Sequence, residues 1–223
     1  MKQNYTHIAL LLDCSGSMEQ IAEDTKKGYN KFIKDQKELS GDCTVTLVHF
    51  NSYNYYNLRY DFMALKSVKR MTEYDCNGCT PLLMAMNKLI DETGKSLAAM
   101  REEDRPERVL VVIMTDGEEN SSVGVTWEEV AAKIKHQEEV YSWKVVYLGA
   151  NQDAIAVGDK VNIAKNSTLD FSSTSVGTKC AFDAISTGAT AYRSCANAGE
   201  ARAMNYFDDT ARKAQRDLVA PRS

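Results

Sequence analysis

Three short stretches of this chain set small oxygen-bearing side chains beside glycine. They are Asp13-Cys14-Ser15-Gly16-Ser17, Asp75-Cys76-Asn77-Gly78-Cys79-Thr80-Pro81 and Thr115-Asp116-Gly117-Glu118-Glu119-Asn120. Each has a local explanation. Ser17 with Gln20 has the spacing of a helix capping box. Thr80 before Pro81 reads as an N-cap followed by proline at the first helical position, and Asp116-Gly117 is a turn pair. Capping leaves Asp13 and Ser15 without a role, however. Pooled, Asp13, Ser15, Ser17, Thr80 and Asp116 offer two carboxylates and three hydroxyls, with no imidazole and no obligatory thiolate. Such a hard, oxygen-only set suits Mg²⁺, which keeps several waters and takes few direct carboxylates; the same oxygens accept Mn²⁺ or Ca²⁺ with different geometry.

The elements that must position these loops follow from the hydrophobic pattern. "HIALLLD" (7–13) is almost continuously aliphatic, as a strand covered on both faces would be, and "RVLVVIMTD" (108–116) is the most apolar strand and must be central. "TVTLVHF" (44–50) is a second β-branched strand. "YYNLRYDF" (55–62) alternates Tyr56, Leu58, Tyr60 and Phe62 with polar neighbours, which predicts a half-exposed edge strand antiparallel to it. "WKVVYLGA" (143–150) and a stretch near 168–172 supply further strands. Three-and-four spacing predicts helices over 18–39, after Pro81 through Leu97, over 126–141, roughly 152–158 and roughly 175–197. Alternating strand and helix implies an α/β fold. The expectation is a three-layer, doubly wound, Rossmann-like sheet of about six mostly parallel strands, one antiparallel edge strand, and helices on both faces. Ligand sites in such sheets lie at the carboxyl ends of the strands, where the three loops fall. A single domain over 1–198 is expected, followed by a polar tail over 199–223 that frays or stays disordered.

Composition narrows the class. A chain of 223 residues, 43% apolar and 26% charged, is long enough for one full core and short for two. A net charge of −4 gives no electrostatic footprint for gripping nucleic acid. No apolar run reaches membrane-spanning length, and the opening run is too short for a signal-peptide core, so neither a membrane span nor export is expected. Six irregularly spaced cysteines do not form a disulfide framework, which points to reduced thiols and a cytoplasmic setting. Cys76 and Cys79 form one CxxC pair with no second soft pair for zinc, and read as two thiols in a surface loop.

Asp13-x-Ser15-x-Ser17, Thr80 and Asp116, with "TPLLMAM" and "VVIMTDGEEN" in strand–loop–helix context, resemble the metal-ion-dependent adhesion site of von Willebrand factor type A domains over roughly residues 5–197. The compact bacterial and phage members, similar to tellurite-resistance-type proteins, are the nearest in kind. The resemblance implies a metal held by the Ser15 and Ser17 hydroxyls, with Thr80 binding directly in the ligand-competent state and Asp13 and Asp116 acting largely through water. It implies a partner protein whose Glu or Asp completes the octahedron. If both aspartates act through water, the metal stays electrophilic toward that carboxylate. Cys14, at a variable position of the motif, is expected to point its thiol away from the metal, and Glu118 and Glu119 to form a solvated rim.

A metal-dependent phosphohydrolase or nuclease is the enzymatic alternative, and an accessory subunit of a larger ATPase-type or stress-response complex is another. Aspartyl phosphotransferases need a second carboxylate where Ser15 stands, and there is neither a phosphate-cradling loop nor a nucleophile elbow. His7 and His49 fall within strands and His136 on a polar helix stretch, so none is placed as a base. Tyrosine-rich "NSYNYYNLRY" (51–60) is either an edge strand packing over the sheet or a second contact surface.

Overall fold

The aliphatic runs become the inner strands of one sheet. In a computed structural model describing residues 1–150 and 153–219, the strands are β1 (Lys2–Asp13), β2 (Asp42–Phe50), β3 (Asn57–Ala64), β4 (Pro106–Thr115), β5 (Lys144–Ala150) and β6 (Thr168–Phe171). The helices are α1 (Ala22–Lys37), α2 (Leu82–Ala99), α3 (Trp127–Tyr141), α4 (Ala154–Lys160), α5 (Ser175–Ser194), α6 (Ala198–Ala203) and α7 (Asp209–Val219). Strand order is β3-β2-β1-β4-β5-β6, parallel throughout except for the β2–β3 pair. This is the doubly wound α/β architecture expected, and its order reverses between β1 and β4. The helix expected from 152 has its start outside the described residues and is seen over Ala154–Lys160.

Alternation along β1 divides the interior in two. Ile8, Leu10 and Leu12 face α1 and α5, while Ala9 and Leu11 face α2, α3 and α4. α1 lies so close to α5 that a Cβ on Gly28 would sit 2.2 Å from the Phe182 ring. Two strongly buried cations stand near the amino ends of their strands. Arg108 donates to the Arg193 and Cys195 carbonyls at the end of α5, and Lys144 donates to the Arg202 and Met204 carbonyls at the end of α6. Each thereby satisfies helix-terminal carbonyls that have no intrahelical partner.

From residue 199 to Val219 the chain departs from the frayed tail expected over 199–223. α6 and α7 fold back, and Ala201, Tyr206 and Phe207 are buried in the α1–α5 core. Gln215 of α7 is buried, accepting from the Ser172 amide and donating to the Gly177 carbonyl. Polar composition concealed this because a few large side chains and one glutamine do the anchoring. Among the described residues no helix is long and apolar enough to cross a membrane.

Candidate metal centre

β1 and β4 run side by side in parallel register, with Leu12 opposite Met114, so the segments that follow them emerge together. The loop after β1 opens a 3₁₀ turn over Gly16–Ile21, and Gly16 donates from its backbone to the Gly78 carbonyl. Asn77 donates in turn to the Cys14 carbonyl, stitching the Thr80 loop to the first. Gly78 takes φ +77, and a Cβ there would meet Ser52 Oγ at 2.5 Å, so this crossing requires glycine.

All five oxygen-bearing side chains are brought to this junction. Asp13, Ser15, Thr80 and Asp116 are buried. Asp13 Oδ1 accepts from the Ser15 amide at 2.7 Å, and its Oδ2 accepts from the Thr115 hydroxyl at 2.5 Å. Ser15 and Ser17 hydroxyls stand 3.2 Å apart, and Ser17 Oγ donates to Asp116 Oδ1 at 2.6 Å. A hydroxyl whose proton is committed to a carboxylate presents its lone pairs to the remaining space. A Cβ built on Gly117 would lie 3.3 Å from Thr80 Oγ1 and 3.5 Å from Ser17 Oγ. The missing side chain therefore leaves a cradle bordered by two hydroxyls.

Electrostatics oppose leaving two carboxylates here uncompensated. Burial pushes the Asp13 carboxyl up to about 6, against the hydrogen bonds from Thr115 and Ser15, with Asp116 adding like charge. Burial likewise raises Asp116, against hydrogen bonds from Ser17 and Gln20. Among the described residues no three His, Cys, Asp or Glu side chains converge to hold a metal. A soft or carboxylate-rich site is thus not what this junction offers. Two buried carboxylates, three hydroxyls and an open cradle fit a hard divalent cation that retains water.

Two local readings are corrected. Ser17 does not cap its helix: Ser15 is the N-cap residue, without a side-chain cap bond, and the Ser17 hydroxyl goes to Asp116 instead. Thr80 is not the N-cap of α2. Pro81 occupies that position, while the α2 amides of Leu83 and Met84 are capped from the loop after β4 by Glu119 and the Ser122 hydroxyl. Glu119, read from sequence as rim, is therefore part of the fold, whereas Glu118 is exposed. Asn120 latches Thr80 from both sides: its Oδ1 accepts the Thr80 amide and its own amide donates to the Thr80 carbonyl. Tyr74, buried, donates its hydroxyl to the Asp13 carbonyl. Thr115, Asn120 and Tyr74 carried no motif spacing; only the position of Thr115 at the end of the central strand could have marked it.

Other expectations are met in place. Cys14 turns its thiol to the Phe50 carbonyl, and Cys76 and Cys79 are unpaired in the loop before Thr80. His7 stacks on Phe62 and bonds Thr44, and burial lowers it to about 3; His49 is lowered to about 4, also mainly by burial. Tyr53 and Tyr55 precede β3 rather than lying in it, at 76% and 38% exposure.

No curated protein matches the chain. Solved structures share the fold at low identity. Proximal thread matrix protein 1 from the mussel byssus, with a zinc-occupied MIDAS motif, aligns at 15% identity and TM-score 0.55, over 80% of this chain and 46% of that one. The pilus adhesin SpaC from Lactobacillus rhamnosus GG, in an open conformation, aligns at 12% and 0.59, over 83% and 30%. The manganese-loaded TRAP protein of Plasmodium vivax aligns at 17% and 0.53, over 77% and 70%. The chain thus spans less than half the length of the byssus protein and of the adhesin. The family model for the von Willebrand factor type A domain matches residues 7–187, covering both motif strands, all three loops and most of α5, and the chain belongs to that family.

Proposed function

We propose that this chain is a metal-dependent protein-binding module whose metal is held by Ser15, Ser17 and Thr80 directly and by Asp13 and Asp116 largely through water. The observation that carries the reading is the convergence of these five side chains, with Ser17 Oγ 2.6 Å from Asp116 and the Gly117 cradle between Ser17 and Thr80. Mg²⁺ is the proposed ion, since few direct carboxylates and retained water suit it, with Mn²⁺ or Ca²⁺ acceptable to the same oxygens. Zinc and manganese in two relatives support a divalent ion in general. Once bound, the ion supplies a Lewis-acidic position for a Glu or Asp of another protein.

The chain's own residues prepare that position. Thr115 and the Ser15 amide orient Asp13, Ser17 orients Asp116, and Asn120 fixes the backbone on both sides of Thr80. The adhesin and thread-matrix relatives support adhesion or scaffolding over catalysis. So does the placement of His7 and His49, buried and neutral at physiological pH. The cytoplasmic setting rests on the cysteine usage alone.

Affinity capture from native lysate, in Mg²⁺ and in EDTA, with Asp13→Ala as control, tests the reading. A partner retained only in Mg²⁺ and lost in the variant supports it; identical capture in all arms removes it. Turnover of a chromogenic phosphoester or a nucleic acid, lost in the same variant, would establish the phosphohydrolase or nuclease alternative instead.

A further inference from the structure

The sheet ends at β6, two strands beyond the central β4 that carries Asp116 at its carboxyl end. Among the described residues β6 pairs with β5 alone, which leaves its outer edge without a strand partner. A groove of about 550 Å³ runs along that edge. Three consecutive β6 residues, Leu169, Asp170 and Phe171, line it, together with Ile155 of α4 and Arg212 and Arg216 of α7. α4 covers one face of the sheet and α7 packs with α5 on the other. A cavity walled from both faces, with successive strand residues along it, lies on the strand's edge rather than over a face. Alternate amides and carbonyls of a parallel strand point outward. Among the described residues no loop or side chain hydrogen-bonds the backbone of Leu169, Asp170 or Phe171 from outside the sheet.

The groove is basic in an acidic protein. Lys165, Arg212 and Arg216 surround it against one carboxylate, Asp170, whose Oδ1 is already engaged by the Ala154 amide. Arg212 and Arg216 stand at i and i+4 on α7, a like-charge spacing that disfavours the helix. Neither they nor Lys165 form an ion pair among the described residues. Arg212 helps tie α7 by donating to the Lys165 carbonyl, whereas α7 does not depend on the Lys165 and Arg216 side chains: Gln215 ties it to β6 and α5, and Phe207 donates to the Asn166 carbonyl. Positive charge at an edge also deters edge-to-edge aggregation. That role needs no cavity, whereas this groove runs beside three of the four residues of β6.

We propose that the open edge of β6, flanked by Lys165, Arg212 and Arg216, accepts an extended acidic segment of a partner protein as an added strand. Backbone pairing along β6 would supply affinity, the cations would select acidic side chains, and Ile155 would border the groove on the α4 side. None of the five metal-loop residues lines this groove, so the chain would engage partners at two sites.

The test uses the full chain and a fluorescein-labelled peptide of about eight residues alternating Glu and Val. A Lys–Val counterpart, a version N-methylated at alternate residues and a single-stranded oligonucleotide serve as comparison probes. Fluorescence anisotropy is read in EDTA, to silence the metal loops, and hydrogen exchange follows the β6 amides. The expected result is binding of the Glu–Val peptide alone, weakened about tenfold or more by Lys165→Glu with Arg216→Glu and by raised salt. Slowed exchange over 168–172 should accompany it. Lys165→Ala with Arg216→Ala should weaken binding less, and circular dichroism should confirm that both double variants fold. Absence of Glu–Val binding, equal binding of the Lys–Val or N-methylated peptide, or binding of the oligonucleotide instead would overturn the proposal. Binding present in Mg²⁺ but lost in EDTA would assign the peptide to the metal loops and overturn it as well.

Discussion

Replacing Asp13 with Asn should stabilise the metal-free protein while abolishing its response to metal. Burial raises the Asp13 carboxyl from its ordinary 3.8 to about 6. A raised acid binds its proton more tightly in the folded state, so above pH 6 the folded protein bears the full cost of ionising it. At 1.36 kcal/mol per pH unit, that cost is about 3 kcal/mol. It declines between pH 6 and 3.8 and vanishes below. Asparagine retains an oxygen for the Ser15 amide and turns an NH₂ toward the Thr115 hydroxyl, which can still donate to the Gly117 carbonyl. For a chain of this size the recovered energy corresponds to a melting rise of about 5–10 °C in EDTA at pH 7.5. At pH 4.5 most of that advantage should be gone. In Mg²⁺ at pH 7.5 only the wild type gains binding energy, about 2.7 kcal/mol at a hundredfold excess over Kd and about 4.1 kcal/mol at a thousandfold, so the gap should close at the first concentration and reverse at the second. Melts followed by circular dichroism under these conditions suffice. An Asn variant that melts lower than wild type in EDTA, or by a gap independent of pH, would refute the electrostatic argument.

Other outcomes follow from the same geometry. Gly117→Ala places a methyl 3.3 Å from Thr80 Oγ1 and 3.5 Å from Ser17 Oγ; calorimetric titration should show metal affinity falling about tenfold or more, with stability changed by only about 1 kcal/mol. His7 is depressed to about 3 when folded, so it contributes stability present above its ordinary 6.5 that is lost as pH falls toward 3. His7→Phe keeps a ring against Phe62 and leaves Thr44 bonded to Tyr5, and urea unfolding should show the acid-side slope of the stability curve reduced by up to about 1.4 kcal/mol per pH unit. Gln215→Ala strands the Ser172 amide and Gly177 carbonyl and should cost about 1–3 kcal/mol, with proteolysis of α7 accelerated while the Mg²⁺ response persists.

What the sequence disclosed reflects how locally each feature is encoded. The aliphatic runs of β1 and β4 announce buried parallel strands because every position is covered on one face or the other. The Asp-x-Ser-x-Ser loop was legible because its spacing is short. Ser17 shows the limit of local patterns, since a long-range partner, Asp116, outcompetes the cap that Gln20 suggested. Glu119 and Ser122 cap α2 from a loop more than thirty residues away in sequence, a relation that only the adjacency of β1 and β4 creates. α6 and α7 were illegible for a compositional reason: Tyr206, Phe207 and Gln215 anchor an otherwise polar segment.

Crystals of the chain soaked in Mn²⁺ and measured at the manganese absorption edge test the central claim most directly. The account predicts one anomalous peak bounded by the Ser15, Ser17 and Thr80 hydroxyls and lost in Ser15→Ala with Ser17→Ala. A peak seated elsewhere, such as between Cys76 and Cys79, or none at that junction at a Mn²⁺ concentration that stabilises the protein, would contradict it.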